Sequence, residues 1–230
     1  MEAIILAGGL GTRLRPIVSD LPKPMAPIRG KPFLQYIFEY LRIQGIRKVV
    51  LSTGYKHQMI ESYFGSQYHE ISLVYSQEIE PLGTGGAVKK ALENITTNHV
   101  FVLNGDTFFN INLEDLYQLH LLLNSDVTLA LKPMKNPARY GIIKTAGDKV
   151  LSFNEKSLKK QGTINGGIYV LKKNLFKGIS ISEKFSFEQD FLKKYADSLQ
   201  FNAYKSDAFF IDIGIPEDFQ AAQRKLPYQL

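Results

Sequence analysis

Apolar positions in this chain arrive in two rhythms. Short unbroken runs, "AIILA" (3–7), "KVVLST" (48–53), "ISLVYS" (71–76) and "HVFVLNGD" (99–106), read as strands buried on both faces. Between them the spacing turns helical: Phe33, Leu34, Ile37, Phe38 and Leu41 mark one helix. Further helices are expected over 57–64, over 84–95 and from Leu113 to Leu123. Strands alternating with helices predict a mostly parallel sheet covered on both faces. After Asp126 the rhythm changes. "DVTLALK", "GIIKT", "VLSFNEK" and "TINGGIYVL" follow one another as strands with only turns between them. A helix from Ser186 to Tyr195, the strands "FNAYK" and "AFFIDIG", and a last helix opened by Pro216 complete the pattern. No repeat, low-complexity segment or long linker interrupts it.

Composition narrows this picture. The 230 residues suffice for one large domain with a substantial core, and 44% are hydrophobic. No apolar run approaches the roughly 20 residues that span a bilayer, and the first residues lack the pattern of a secretory signal. There is no cysteine, which excludes disulfides, thiolate metal sites and cysteine nucleophiles. A cytoplasmic protein without a membrane partner is expected. Lys and Arg number 28 against 22 Asp and Glu, with a pI near 9.3. These charges are scattered and form no stripe, so nucleic acid is not the expected partner. A small anionic substrate accounts for local basic residues equally well.

The most informative stretch is "AIILAGGLGTRLRPIVSDLPKPMAPIRGKP" (3–32). Gly8, Gly9 and Gly11 follow a buried strand, where backbone N–H groups can turn inward toward phosphate oxygens. Arg13 and Lys23 add full positive charges, with Arg15 and Lys31 as electrostatic support. The string lacks the Gly-Lys-Ser/Thr ending of a P-loop and the last glycine of the dinucleotide fingerprint. Glycines alone would read as an ordinary turn; their fixed order with Arg13, Pro16 and "PKP" (22–24) does not.

"GGLGTRLRP" with "LPKPMAPI" resembles the signature of the sugar-1-phosphate nucleotidylyltransferases. Later motifs of that family follow in order: "EPLGTGGA" (80–87), "LNGDTF" (103–108), "FNEK" (153–156), "NGGIYV" (165–170) and "FIDIGIPEDF" (210–219). Within the family the chain is most similar to the D-glycero-D-manno-heptose 1-phosphate guanylyltransferases. The resemblance implies a Rossmann-like three-layer α/β/α sandwich with a mixed, mostly parallel sheet. It implies a single domain over 1–230, with a nucleotide-binding half (1–125), a sugar-phosphate-binding half (126–230) and no appended C-terminal β-helix.

The implied reaction joins a sugar 1-phosphate to GTP, giving a GDP-sugar and pyrophosphate for surface polysaccharide synthesis. Positioning and cations supply most of such catalysis, and no covalent nucleophile is needed. By resemblance Arg13, Lys23 and Asp106 are catalytic, and Asp106 with Asp212 holds Mg²⁺. The nucleotide falls to Leu6, Ala7, Gly8, Gly9, Gly11, Thr12 and Arg13, then Gln77, Glu80, Gly83, Thr84, Asn104 and Gly105. The sugar phosphate falls to Lys23, Gly141, Glu155, Lys156, Asn165 and Gly166. Phe209 and Phe210 stand where many relatives carry Trp before the second aspartate. Glycines 83 and 85 are expected to let the base approach closely, and Thr84 to cap the following helix. Glu80 suits guanine, because a carboxylate accepts from N1–H and the exocyclic amine together; Glu78 lies close by. A mannose 1-phosphate guanylyltransferase, a thymidylyl- or uridylyltransferase, and a nucleotide-sugar-binding regulatory subunit remain alternatives. A glycosyltransferase of related fold would be expected to carry an Asp-x-Asp motif, which "NGDTF" lacks. The sugar is not legible, and a homodimer stays open.

Overall fold

The computed structural model describes all residues except 10, 15, 16, 19, 157–159 and 227–230, and the side chains of Glu155 and Lys156 are likewise outside the description. The expectations on Arg15 and Pro16, and on the side chains of Glu155 and Lys156, therefore fall outside the described residues.

The strands in chain order are β1 (Glu2–Leu6), β2 (Pro27–Ile28), β3 (Lys31–Pro32), β4 (Lys48–Thr53), β5 (Gln67–Tyr68), β6 (Ile71–Gln77) and β7 (His99–Asn104). There follow β8 (Thr107–Phe109), β9 (Val127–Lys135), β10 (Gly141–Ala146), β11 (Lys149–Lys156), β12 (Gln161–Lys172), β13 (Phe201–Lys205) and β14 (Phe210–Asp212). Ten of them make one mixed sheet in the order β10-β11-β13-β9-β12-β7-β1-β4-β6-β5. Strands β7, β1, β4 and β6 run parallel, while β12 enters antiparallel between β7 and β9.

Alternation along the strands splits the core into two layers. Ala3 and Ile5 face one cluster and Ile4 the other. The first cluster takes the apolar sides of α1 (Phe33–Ile43), α2 (His57–Phe64) and α4 (Leu113–Leu122). The second takes α3 (Gly83–Ala91) and a π-helical segment, Phe187–Leu192, that runs into the short α5 (Lys193–Tyr195). A last helix, α6 (Pro216–Lys225), returns to the first face through Phe219 and Ala222. The result is three layers, with helices on both faces of the sheet. Asn112 starts α4 by accepting from the backbone N–H of Glu114 (2.9 Å) and Asp115 (3.3 Å).

Three departures from the sequence pattern surround the site. The strand expected over 99–106 stops at Asn104, because the chain turns at Gly105 and Asp106. Gly105 lies directly on β1, its N–H 2.9 Å from the Leu6 carbonyl, and a Cβ there would sit 2.6 Å from that oxygen. The expected strand "AFFIDIG" shrinks to β14 and leaves the main sheet to pair with β8. The helix expected over 84–95 is α-helical only to Ala91 and ends in a 3₁₀ turn, Leu92–Asn94.

Candidate active site

The carboxyl ends of the four parallel strands open onto one cavity of ≈ 710 Å³, within the range of small-molecule sites. Ligands of open α/β sheets bind at this edge. Leu6 ends β1 and Ala7 through Gly9 follow it, Gly54 and Tyr55 follow β4, Gln77 ends β6 with Glu78 next, and Asn104 ends β7 with Gly105 and Asp106 after it. Gly83 and Thr84 at the start of α3 complete the wall.

Of the expected nucleotide residues, Leu6, Ala7, Gly8, Gly9, Gln77, Gly83, Thr84, Asn104 and Gly105 line this cavity. Gly11, Thr12 and Arg13 lie further along the loop, where Thr12 and Arg13 are exposed outside the lining. The loop is pinned by buried Leu14, whose N–H donates to the Gly11 carbonyl at 3.0 Å.

The glutamates separate clearly. Glu80 is exposed and outside the cavity lining, whereas Glu78 lines it. Glu78 Oε1 accepts from Ser52 Oγ at 3.1 Å and Oε2 from the Leu82 N–H at 2.9 Å. A Cβ on Gly8 would stand 2.6 Å from Oε1, so the glycine loop and this carboxylate are packed against each other.

The glycines of "LGTGGA" are explained differently from expectation. Gly83 has φ +72°, and a Cβ there would meet the Phe185 carbonyl at 2.6 Å, while a Cβ on Gly85 would overlap the Phe185 ring. These glycines admit the segment around Phe185 rather than a ligand alone. Thr84 does not cap its own helix. Its Oγ1 accepts from the Phe187 N–H at 2.9 Å, and the Gly85 N–H donates to the Phe185 carbonyl at 2.9 Å. The nucleotide side of the cavity is thus tied to the π-helical segment.

The β8–β14 ribbon brings together the two aspartates expected to hold a metal. Pairing of Asp212 with Thr107 sets Asp212 beside Asp106, and the Ile213 N–H donates to the Asp106 carbonyl at 3.0 Å. Lys23, at the start of the 3₁₀ turn Lys23–Met25, ion-pairs with Asp106 Oδ2. Its side chain is only 9% exposed. Asp212 Oδ1 accepts from the Gly214 N–H at 2.6 Å, and Tyr140 OH reaches Oδ2 at 3.4 Å. Burial and then the charge of Asp106 push the Asp212 carboxyl up, while Lys23 and the Gly214 N–H pull it down. Two carboxylates held this close to each other, Asp106 engaged by Lys23 and by Thr107 Oγ1 at 3.2 Å and Asp212 by Gly214 and Tyr140, form a hard-oxygen pair whose remaining lone pairs fit a divalent cation. Among the described residues no group of three His, Cys, Asp or Glu is gathered. An octahedral ion there must complete its shell with phosphate oxygens and water.

On the sugar side Gly141 pairs with Lys156 across β10 and β11. Asn165 lies outside the cavity lining but donates to Glu188 Oε1 at 2.7 Å and to Tyr169 OH at 2.6 Å. Tyr169 and Glu188 do line the cavity. Gly166 is buried, and a Cβ on it would overlap the Phe109 ring, so packing alone requires glycine. Glu188 was not anticipated. "SFEQ" reads as a helix start, and Ser186 Oγ indeed accepts from the Gln189 N–H at 3.2 Å, so the pattern masks a carboxylate that lines the cavity.

The nucleotidyl transferase family model matches residues 2–229. The chain belongs to this family. It is 56% identical, over the full length of both chains, to D-glycero-alpha-D-manno-heptose 1-phosphate guanylyltransferase of Aneurinibacillus thermoaerophilus. The protein of the same description from Campylobacter jejuni is 52% identical over 95% of this chain and 97% of its own. The crystal structure of HddC from Yersinia pseudotuberculosis complexed with GMP-PN superposes with a TM-score of 0.87 at 39% identity, covering 98% of this chain and 99% of that one. No helix among the described residues is long and apolar enough to cross a membrane.

Proposed function

We propose that this nucleotidyl transferase moves a guanylyl group from GTP to D-glycero-α-D-manno-heptose 1-phosphate, giving a GDP-heptose and pyrophosphate. The carrying observation is the Lys23–Asp106–Asp212 cluster: Lys23 and Asp106 line the cavity with the glycine loop, and Asp212, outside the lining, stands against Asp106. A phosphate oxygen of the sugar attacks the α-phosphorus in line. The bond to the bridging oxygen breaks, and pyrophosphate leaves with its electron pair. The nucleophile is already an anion, so no general base is required.

Lys23 provides a fixed positive charge at the junction of two polyanions, held in place by Asp106. Arg13, on the exposed part of the loop, is assigned to the departing pyrophosphate, and Lys156 to the sugar phosphate. Asp106 and Asp212 would hold Mg²⁺, which when bound neutralises phosphate charge and orients the oxygens. Glu78 takes the base-reading role in place of Glu80, since its carboxylate is the one anchored on the cavity wall. Guanine offers it two adjacent donors, whereas uracil and thymine present a carbonyl on each side of one N–H. The reaction belongs in the cytoplasm, where nucleoside triphosphates are available. Its product class, an activated sugar, is what glycosyl transfer into polysaccharide consumes.

A matrix of four nucleoside triphosphates against heptose, mannose, glucose and N-acetylglucosamine 1-phosphates, read by Mg²⁺-dependent pyrophosphate release, tests this reading. The expected maximum is GTP with the heptose. A preference for UTP or dTTP overturns the base, a preference for another sugar overturns the acceptor, and no release with any pair overturns the enzyme.

A further inference from the structure

A closed hydrogen-bond triad, joining β12 to the π-helical segment, stands beside the cavity. In a regular strand, residues four apart are about 13 Å apart. Asn165 and Tyr169 are four apart on β12, yet their side chains bond at 2.6 Å. A bulge makes this possible: Asn165 pairs with Leu131 and Tyr169 with Leu129, so four steps of β12 oppose two of β9. Gly167, at φ +74°, takes the left-handed turn that the bulge needs.

The triad's chemistry fixes its orientation. The carboxylate of Glu188 takes only donors, and the Gly167 N–H, 3.0 Å from Asn165 Oδ1, takes only an acceptor. The Asn165 amide therefore gives both hydrogens away, to Tyr169 OH and Glu188 Oε1, and its oxygen is occupied by Gly167. Tyr169 OH, at 3.3 Å, donates to the same Oε1. Two donors converge on Oε1, while among the described residues Oε2 receives none. Asn165 is thus committed to orienting Glu188.

What can Oε2 accept? Nucleotide phosphates are repelled by a carboxylate, and the donors of the base fall to Glu78. The remaining donors are the hydroxyls of the ribose and of the sugar, and the bond of Glu188 to Asn165, a residue of the sugar-binding half, favours the sugar. A heptose carries a vicinal diol on its exocyclic carbons, where a hexose has a single hydroxyl. Two adjacent hydroxyls match the two open lone pairs of Oε2.

We infer that Glu188 reads the exocyclic diol of the sugar, and that Asn165 and Tyr169 are positioning residues that aim it. The π-helical segment is the device that delivers it: six residues with a wide turn, Phe187–Leu192, place Glu188 on the wall and Phe187 and Phe191 in the core. This inference rests on the heptose reading proposed above.

The test is kcat/KM for heptose 1-phosphate and for mannose 1-phosphate, each with saturating GTP, in wild type, Glu188→Gln and Tyr169→Phe. Glu188→Gln should lower the value about 10²-fold with the heptose and less than fivefold with mannose, leaving the KM for GTP unchanged. Tyr169→Phe should raise the KM for the heptose several-fold with kcat retained, the mark of a positioning role. Equal losses with both sugars, no loss, or a shifted KM for GTP overturn the inference while the heptose reading stands. A wild type that does not turn over heptose 1-phosphate overturns that reading and the inference with it.

Discussion

Lys23 and Asp106, 83 residues apart in sequence, meet as an ion pair with the lysine almost fully enclosed. The pair lines the cavity, and in the proposed reaction its lysine is the cation that two polyanions would share. Lys23→Ala should lower kcat by about 10²–10³-fold, on the scale of losing one preorganised charge-stabilising group. Pyrophosphate release under saturating substrates measures it. Retention of more than a tenth of the wild-type rate would remove Lys23 from the mechanism.

Asp212 depends on Asp106 for its electrostatic setting, and both carboxylates are needed to hold a hard cation. Asp106→Asn and Asp212→Asn should each fold and lose most turnover, because an amide is a poor ligand for Mg²⁺. Circular dichroism checks the fold, and a Mg²⁺ titration of the rate checks the chemistry. Recovery of either variant to wild-type rates at high Mg²⁺ would contradict the assignment.

Base choice should follow Glu78. Glu78→Gln replaces an acceptor with a donor at a site anchored by Ser52 and Leu82. The kcat/KM for GTP should fall about 10²-fold or more, with a much smaller change for UTP. Glu80→Gln, on the exposed side of the loop, should stay within about twofold. The reverse ranking would return the role to Glu80.

Gly85→Ala probes the link between the nucleotide wall and the π-helical segment. Its new methyl group overlaps the Phe185 ring, so the segment must shift, at a cost of about 1–3 kcal/mol. The melting midpoint should drop by about 3–10 °C, and the KM for GTP should rise because Gly83 and Thr84 move with it. An unchanged midpoint would show that Phe185 yields freely.

Acid stability should carry the signature of His120, buried at the opposite end of the sheet from the cavity. Nδ1 lies 2.9 Å from Thr128 Oγ1, and Nε2 is buried without a partner among the described residues. Burial, and after it the charges of His99 and Lys172, push the ring down to about 4 from an ordinary 6.5. Between these values the unfolded chain binds the extra proton, so this stability is complete above pH 6.5 and is lost as pH falls toward 4. The loss should reach about 2 kcal/mol by pH 5. Urea unfolding of wild type and His120→Phe at pH 7 and pH 5 checks it: the variant should lose about 2 kcal/mol less on acidification.

Much was legible before any coordinates. Unbroken apolar runs specified β1, β4, β6 and β7, because a strand buried on both faces has no polar side to alternate. Helical spacing specified α1 and α4, and the ordered motifs brought the glycine loop, Lys23 and Asp106 to one reaction class. Periodicity reports which face of an element is buried, not which element it meets. The family motifs already paired Asp212 with Asp106, but the means, a three-residue ribbon outside the main sheet, leaves no pattern and came from the fold. The fold also set Glu78 on the cavity wall and Glu80 outside it, two positions apart on one loop, because a carboxylate is aimed by what anchors it. Glu188 was hidden for the same reason: its sequence spells a helix start, while its role depends on a bulge in β12 that brings Asn165 and Tyr169 together. The sequence by itself determined the elements and the chemistry they could carry. Long-range packing set which carboxylates face the cavity, since those contacts join residues that no local pattern connects.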